Sequence, residues 1–172
     1  MLLKTDRLNI RRIIEEDWKG LLAIWRDFTL SEFAQYDIPH DTEETTVKAR
    51  IDKWVKYNDG TDHMFFAICL DDQLIGYVAF NIADESHEVG YCFHSKYHGK
   101  GYAKESCTAL FKYLKNFGIT KFSAGTALNN KPSVELLKSL GFELQGTEDV
   151  SFYKDDQGND ITFEGGIFVL HA

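Results

Sequence analysis

The spacing of apolar residues changes period several times along the chain. Leu8 to Ile13 alternates apolar positions with Asn9, Arg11 and Arg12, which is a strand pattern. Glu15, Glu16 and Asp17 then put negative charge at a helix start, and Trp18, Leu21, Leu22 and Trp25 make one apolar stripe. Thr29 to His40, with Phe33, Tyr36, Ile38 and Pro39, has no clean period and reads as a broken helix and loop. Asp41-Thr42-Glu43-Glu44 opens a second helix with Val47, Ile51, Trp54 and Val55 on one face, ended by Asn58-Asp59-Gly60. From His63 to Phe93 the period becomes strand-like. Met64–Leu70 and Leu74–Ile82 flank a turn at Asp71-Asp72-Gln73, and Asp84-Glu85-Ser86 leads into Glu88–Phe93.

Helical spacing returns at Ala103, Cys107, Leu110, Phe111, Leu114 and Phe117, with Gly118 as the C-cap. Lys121–Thr126 is a short strand. A brief helix follows, with Pro132 near its start, Val134, Leu137 and Leu140 on one face, and Gly141 past its end. Phe142–Phe152 and Ile161–Leu170 surround a polar turn and form a terminal hairpin. This order is neither a regular βαβ alternation nor a helix bundle. It predicts an α/β (α+β) fold: one mixed, mostly antiparallel sheet of about six to seven strands flanked by helices, with residues 1–172 as a single domain.

Composition narrows the function classes. A net charge of −8 argues against a nucleic-acid or anionic-membrane surface and weakly favours cationic partners such as amines or basic peptide ends. The three cysteines, Cys69, Cys92 and Cys107, lie in apolar or periodic segments without a CxxC spacing, so neither a disulfide framework nor a metal site is expected. No run approaches the ~18 apolar residues of a membrane span, so the default location is the cytoplasm. Both a monomer and a homodimer are compatible with the sequence.

The candidate chemistry lies between Glu88 and Glu105. An apolar strand ends in His98-Gly99-Lys100-Gly101-Tyr102-Ala103-Lys104-Glu105, where closely spaced glycines open a helix. Such a loop presents free N–H groups at the positive end of a helix dipole, a site for phosphate or pyrophosphate. The other reading is a plain tight turn. Lys96, Lys100 and Lys104 oppose the dipole at a cost on the order of a few tenths of a kcal/mol each, which a bound anion would reverse. The dinucleotide fingerprint fails because Lys104 stands where a glycine or alanine is needed, and no P-loop Gly-Lys-Ser/Thr occurs.

These residues resemble the acetyl-CoA loop of the GNAT superfamily of N-acetyltransferases. In its signature Gln/Arg-x-x-Gly-x-Gly/Ala, Gly101 and Ala103 match, while His98 takes the first position. Asn130-Lys131-Pro132-Ser133, followed by Leu137, Leu140, Gly141 and Phe142, resembles the family's second landmark, Asn-x-x-Ser and Leu-Gly-Phe. The branch most similar is the one that acetylates N-termini of ribosomal proteins, which it shares with polyamine acetyltransferases. The resemblance implies acetyl-CoA as cosubstrate, with no metal, and an acyl-CoA N-acyltransferase fold. It implies that the N–H groups of Gly99, Lys100, Gly101, Tyr102, Ala103 and Lys104, beside His98, hold the pyrophosphate. Tyr91, Cys92 and Phe93 would pair through their backbone with pantetheine, in a cleft where two strands splay. Asn130 and Ser133 would border the cofactor's other side.

The acceptor would be a small-molecule amine or a peptide N-terminus. Glu88 matches the position of a general-base glutamate in several family members and shares a strand face with Gly90 and Cys92. The competing view of Glu88 is a solvated strand-end carboxylate. The tyrosine that many members place in the second helix is Leu137 here, which leaves Ser133 as the candidate donor to the departing thiolate. The N–H of Phe93 or Cys92 would meet the oxyanion. Phe33, Tyr36 and Asp37 are the candidates for holding a cationic amine. A rival function is a catalytically silent acyl-CoA-binding sensor.

Overall fold

The computed structural model describes residues 2–172. Eight strands form one sheet: β1 (Leu2–Lys4), β2 (Leu8–Arg12), β3 (His63–Leu70), β4 (Gln73–Ala83), β5 (Ser86–Phe93), β6 (Lys121–Ala127), β7 (Glu143–Lys154) and β8 (Asp160–His171). Their order is β1-β2-β3-β4-β5-β6-β8-β7, and every neighbouring pair is antiparallel except β5 with β6. The count exceeds the expected six to seven because β1 is only three residues long, too short for its alternation to register in the sequence.

Four helices flank the sheet: α1 (Trp18–Thr29), α2 (Glu44–Val55), α3 (Tyr102–Lys115) and α4 (Lys131–Ser139). The irregular stretch after α1 holds one short 3-10 turn, Glu32–Tyr36. The helices divide between the two sheet faces. Leu21, Leu22, Trp25, Val47, Ile51 and Trp54 of α1 and α2 pack with Phe65, Tyr77 and Ala79 on one face. Cys107, Leu110, Phe111 and Leu114 of α3 and Leu137 of α4 pack on the other, with Val78, Phe80, Val89 and Phe122. Phe80, Phe122 and Phe168 are fully buried, each contributing about 2–3 kcal/mol through the apolar surface removed from water. No helix among the described residues is long and apolar enough to cross a membrane.

One break in the sheet positions the site. β4 and β5 pair along the whole of β5, from Ser86 to Phe93. The parallel β5–β6 pairing stops after two positions, His87 with Phe122 and Glu88 with Ser123. Beyond these the two strands part, and a wedge opens between Val89–Phe93 and Ala124–Ala127.

Candidate active site

The wedge exposes specific backbone groups. The N–H of His94 donates to the Ile75 carbonyl, and the uninterrupted register makes Cys92 with Tyr77 and Gly90 with Ala79 the hydrogen-bonded pairs of β4 and β5. Val89, Tyr91 and Phe93 therefore turn their N–H and C=O groups into the wedge. This corrects one expectation: the Cys92 backbone is committed to β4 and is free neither for pantetheine nor for an oxyanion. The Phe93 carbonyl accepts a 2.7 Å hydrogen bond from Nε2 of His98, so of that residue only the N–H remains.

At the end of β5 the chain enters the glycine loop. Gly99 and Gly101 have φ of 70° and 80°, a left-handed backbone that costs a side-chain-bearing residue about 1–2 kcal/mol. Gly101 caps α3 without a side-chain acceptor, and among the described hydrogen bonds none uses the N–H groups of Gly99 to Lys104. Lys96 and Lys100 stand beside the Tyr97 ring, and Nζ of Lys100 donates to the Lys96 carbonyl at 3.1 Å. A row of unclaimed N–H donors ringed by lysines fits a pyrophosphate.

The loop is braced from two distant elements. Arg7, just before β2, donates from Nη1 to the Lys100 carbonyl at 2.9 Å and from Nε to Glu105 at 2.7 Å, with Nη2 2.6 Å from the same carboxylate. Its guanidinium lies 4.6 Å from the centre of the Tyr102 ring. Burial works to raise the Glu105 pKa, but hydrogen bonds from Thr5 and Arg7 outweigh it and hold the carboxyl below its ordinary range. From α1, Asp27 accepts from both the N–H and the hydroxyl of Ser95, each at 2.7 Å. Arg7 and Asp27 were not visible as site residues in the sequence, since each acts across a separation of 68 residues or more.

On the α3–α4 face the hydroxyls of Tyr91 and Ser133 share a 2.8 Å hydrogen bond, linking β5 to the first turn of α4. Burial pushes the Tyr91 phenol up, against the hydrogen bond with Ser133. The Asn130 side chain caps α4, accepting from the Ser133 N–H at 3.2 Å. Leu137 is buried in the core, so no side chain from that position reaches the wedge as an acid.

On the α1–α2 face a cavity of about 420 Å³ opens against the wedge, lined by Gly90, Tyr91 and Cys92 from β5 and by Trp25, Asp37, His40, Arg50, Trp54, Phe65, Tyr77 and Asn81. Among the residues that β5 and β6 turn to this face are Gly90 and Gly125, and a Cβ at either would meet nothing within 4 Å. Access to the wedge is therefore open from this side. Burial pushes the Cys92 thiol up to about 12, so it is not a thiolate nucleophile. Glu88 is exposed, opposite Asn81 in the register, and is not among the residues that line the cavity.

Asp37 lines the cavity, whereas Phe33 and Tyr36 do not. Tyr36 packs edge-on against Phe163 of the terminal hairpin, and the Phe33 N–H donates to Ser31. His40, unmarked in the sequence, stacks on Trp25 at 4.7 Å with Nε2 3.8 Å from the Asp37 carboxylate. Burial lowers the His40 pKa against the pull of Asp37, and burial raises that of Asp37.

A split strand pair, with a row of free backbone N–H groups at its end and an aromatic cavity of mixed charge on its open face, is the working geometry of an acyl-CoA N-acyltransferase. Residues 7–143 match the acetyltransferase (GNAT) domain, and the chain belongs to that family of acetyl-CoA-dependent enzymes. It is 28% identical over 152 residues to the uncharacterized N-acetyltransferase YnaD of Bacillus subtilis (strain 168), covering 85% of each chain. In fold it is similar to the Salmonella typhimurium acetyltransferase that modifies the N-terminal serine of ribosomal protein L7/L12. That likeness has a TM-score of 0.86 at 15% identity, over 100% of this chain and 99% of the other. It is likewise similar to RimL in complex with coenzyme A, with a TM-score of 0.83 at 14% identity over 99% and 98% of the two chains.

Proposed function

We propose that the protein transfers an acetyl group from acetyl-CoA directly to a primary amine, a small molecule or a protein N-terminus, with Glu88 as the general base. The observation that carries this reading is the wedge between β5 and β6, open at one end to the glycine loop and on one face to the aromatic cavity that Asp37 lines. Acetyl-CoA brings the acyl group already activated as a thioester. The N–H groups of Gly99 to Lys104, with Lys96, Lys100 and Lys104 around them, hold the pyrophosphate. The Tyr91 backbone pairs with pantetheine as an added strand would. The Phe93 N–H meets the thioester oxygen as charge develops on it. Asn130 and Ser133 border the cofactor's far side.

An alkylamine of pKa ~10 is almost wholly ammonium at neutral pH and must lose a proton before it can attack. Glu88, two residues before Gly90 on the open face, takes that proton directly or through a water. The C–N bond then forms, the C–S bond breaks, the amine's second proton goes to solvent, and the sulfur takes one proton. Ser133, hydrogen-bonded to Tyr91, offers the sulfur an O–H. Asp37 draws the ammonium into the cavity, which Phe33 and Tyr36 do not line. The ribosomal-protein acetylation named for the similar Salmonella protein makes a peptide N-terminus one acceptor to assay.

The test is thiol release from acetyl-CoA over a panel of amines. Glu88→Gln lowers kcat on the order of 10²-fold or more while leaving CoA affinity intact. Unchanged turnover would sink the base assignment. Tight CoA binding without turnover on any amine would favour the silent sensor.

A further inference from the structure

Two acceptors face each other across a gap in the cavity. The Ile38 N–H donates to Oδ1 of Asp37 at 2.7 Å, which fixes the carboxylate and leaves Oδ2 without a hydrogen bond among the described residues. Nε2 of His40 lies 3.8 Å from that Oδ2. The gap is too long for a hydrogen bond, and an imidazolium donating to the carboxylate would stand about 2.7–2.9 Å away. The imidazole is clamped where it is. It stacks on Trp25 at 4.7 Å and 7°, with the Phe28 ring edge-on at 5.6 Å, and its side chain is only 11% exposed. Neither ring nitrogen has a hydrogen bond among the described residues. Neither is sealed in the interior, since the buried side-chain atoms without a partner are Nη1 of Arg12 and Oδ1 of Asn58. The pair therefore opens on the cavity it lines.

The clamp is tied to the reacting strand. Nε1 of Trp25 donates to the Tyr77 hydroxyl at 3.2 Å, and Tyr77 is the register partner of Cys92, which packs against the same cluster. The cavity runs from Asp37 and His40 to Gly90, Tyr91 and Cys92, where the wedge opens. Two acceptors 3.8 Å apart can be bridged by one nitrogen lying about 2.8–3.0 Å from each. With its hydrogen on Nδ1, a neutral imidazole offers Nε2 as such an acceptor. A primary amine that has lost its ammonium proton carries two N–H hydrogens and one lone pair. With the hydrogens given to Oδ2 and Nε2, the lone pair is left for the thioester carbon.

We infer that Asp37 and His40 form a two-acceptor site for a primary amine, and that His40 is a second catalytic base that takes the proton the nitrogen sheds as the C–N bond forms. The inference deepens the acetyltransfer reading above and rests on it. Glu88 removes the first proton, and bonding to carbon makes the nitrogen cationic again. One N–H proton then passes to Nε2, its electron pair stays on the amide nitrogen, and the C–S pair leaves with sulfur. The imidazolium, beside the Asp37 carboxylate, returns the proton to solvent. Such a base must be neutral when the amine arrives. Burial lowers the His40 pKa, with Arg50 acting in the same direction and Asp37 against both. The other charged or titratable groups lining the cavity are Asp41, Lys53 and the packed pair Tyr57 and His63, with the Tyr77 and Tyr91 phenols and the Cys92 thiol held protonated by burial. From α1 only Trp25 lines it.

The experiment follows thiol release at saturating acetyl-CoA with the best primary amine of a panel and its N-methyl derivative. His40→Phe keeps a ring on Trp25 and should lower kcat about tenfold or more with CoA affinity unchanged. Wild-type kcat should fall as pH drops through the His40 pKa, and that inflection should vanish in the variant. Added imidazole should restore activity to His40→Ala, whereas thiazole, of the same shape but weakly basic, should not. The N-methyl derivative, one hydrogen short, should lose about tenfold in kcat/KM, and His40→Phe should narrow that difference. A His40→Phe kcat within twofold of wild type, an unmoved inflection, or equal rescue by thiazole would each overturn the inference. If no amine is turned over although CoA binds, the acetyltransfer reading itself fails. The imidazole NMR signals of His40, followed as methylamine is titrated into the CoA complex, then decide the site: a shift that Asp37→Asn abolishes supports it, and no shift overturns it.

Discussion

Arg7→Met tests how the cofactor loop is held. The substitution keeps an unbranched apolar stem of similar reach and removes the guanidinium from Glu105, from the Lys100 carbonyl and from the Tyr102 ring. The Arg7 side chain is 45% exposed and that of Glu105 19%, so solvent screening limits the ion pair to about 1 kcal/mol. The hydrogen bond to Lys100 adds about 1 kcal/mol and the stacking on Tyr102 about 0.5 kcal/mol. Glu105 keeps its bond from Thr5, so the terms do not add in full, and about 2 kcal/mol of stability should be lost. For a chain of this size that lowers Tm by about 4–8 °C. The larger consequence concerns the loop. With the Lys100 carbonyl released, the N–H groups of Gly99 to Lys104 are no longer aligned in advance. CoA affinity should fall about tenfold, equivalent to 1.4 kcal/mol of ordering moved to the binding step. Calorimetric titration with CoA and a thermal melt measure the two effects separately. Arg7→Lys, which keeps the charge but not the fork, should recover less than half of the lost affinity. A lowered Tm with CoA affinity within twofold of wild type would refute the positioning role and leave Arg7 as a fold staple alone.

Tyr91→Phe removes the hydroxyl that pairs with Ser133. It should cost about 1 kcal/mol of stability and lower kcat about tenfold, less than loss of a direct proton donor, because Tyr91 acts through Ser133. A kcat equal to wild type would remove Ser133 and Tyr91 from the route of the proton to sulfur. His40 is held by burial below the ordinary histidine range, so the unfolded chain binds more protons than the folded one. Its contribution to stability is complete above the unfolded pKa of about 6.5 and is lost as pH falls through that value towards the folded pKa. His40→Phe should therefore reduce the drop in Tm between about pH 7 and pH 5; an unaltered drop would show that His40 remains charged in the fold.

The local grammar of the chain is easily read because each signal acts within a few residues. The acidic residues before α1, the turn at Asp71-Asp72 and Gly118 at the end of α3 all encode elements that the structure contains. The glycine loop and the Asn130-to-Ser133 helix start were legible for the same reason: their backbone geometry is set by the residues themselves. The Cys92 backbone was misassigned because alternation along a strand says which residues share a side-chain face. It does not say which N–H groups a neighbouring strand has already taken.

What the sequence determined by itself, then, is the succession of strands and helices and the family of the chain. It also marked the glycine loop as a candidate anion site. Tertiary structure alone decided that β5 and β6 part after Glu88, that Arg7 and Asp27 brace the loop from far away in sequence, and that His40, Asp37 and Arg50 meet around one cavity. The physical reason is range. Dihedral preference and hydrophobic period are short-range properties written residue by residue. Those meetings depend on how two helical layers close on opposite faces of one sheet, and no local pattern records that.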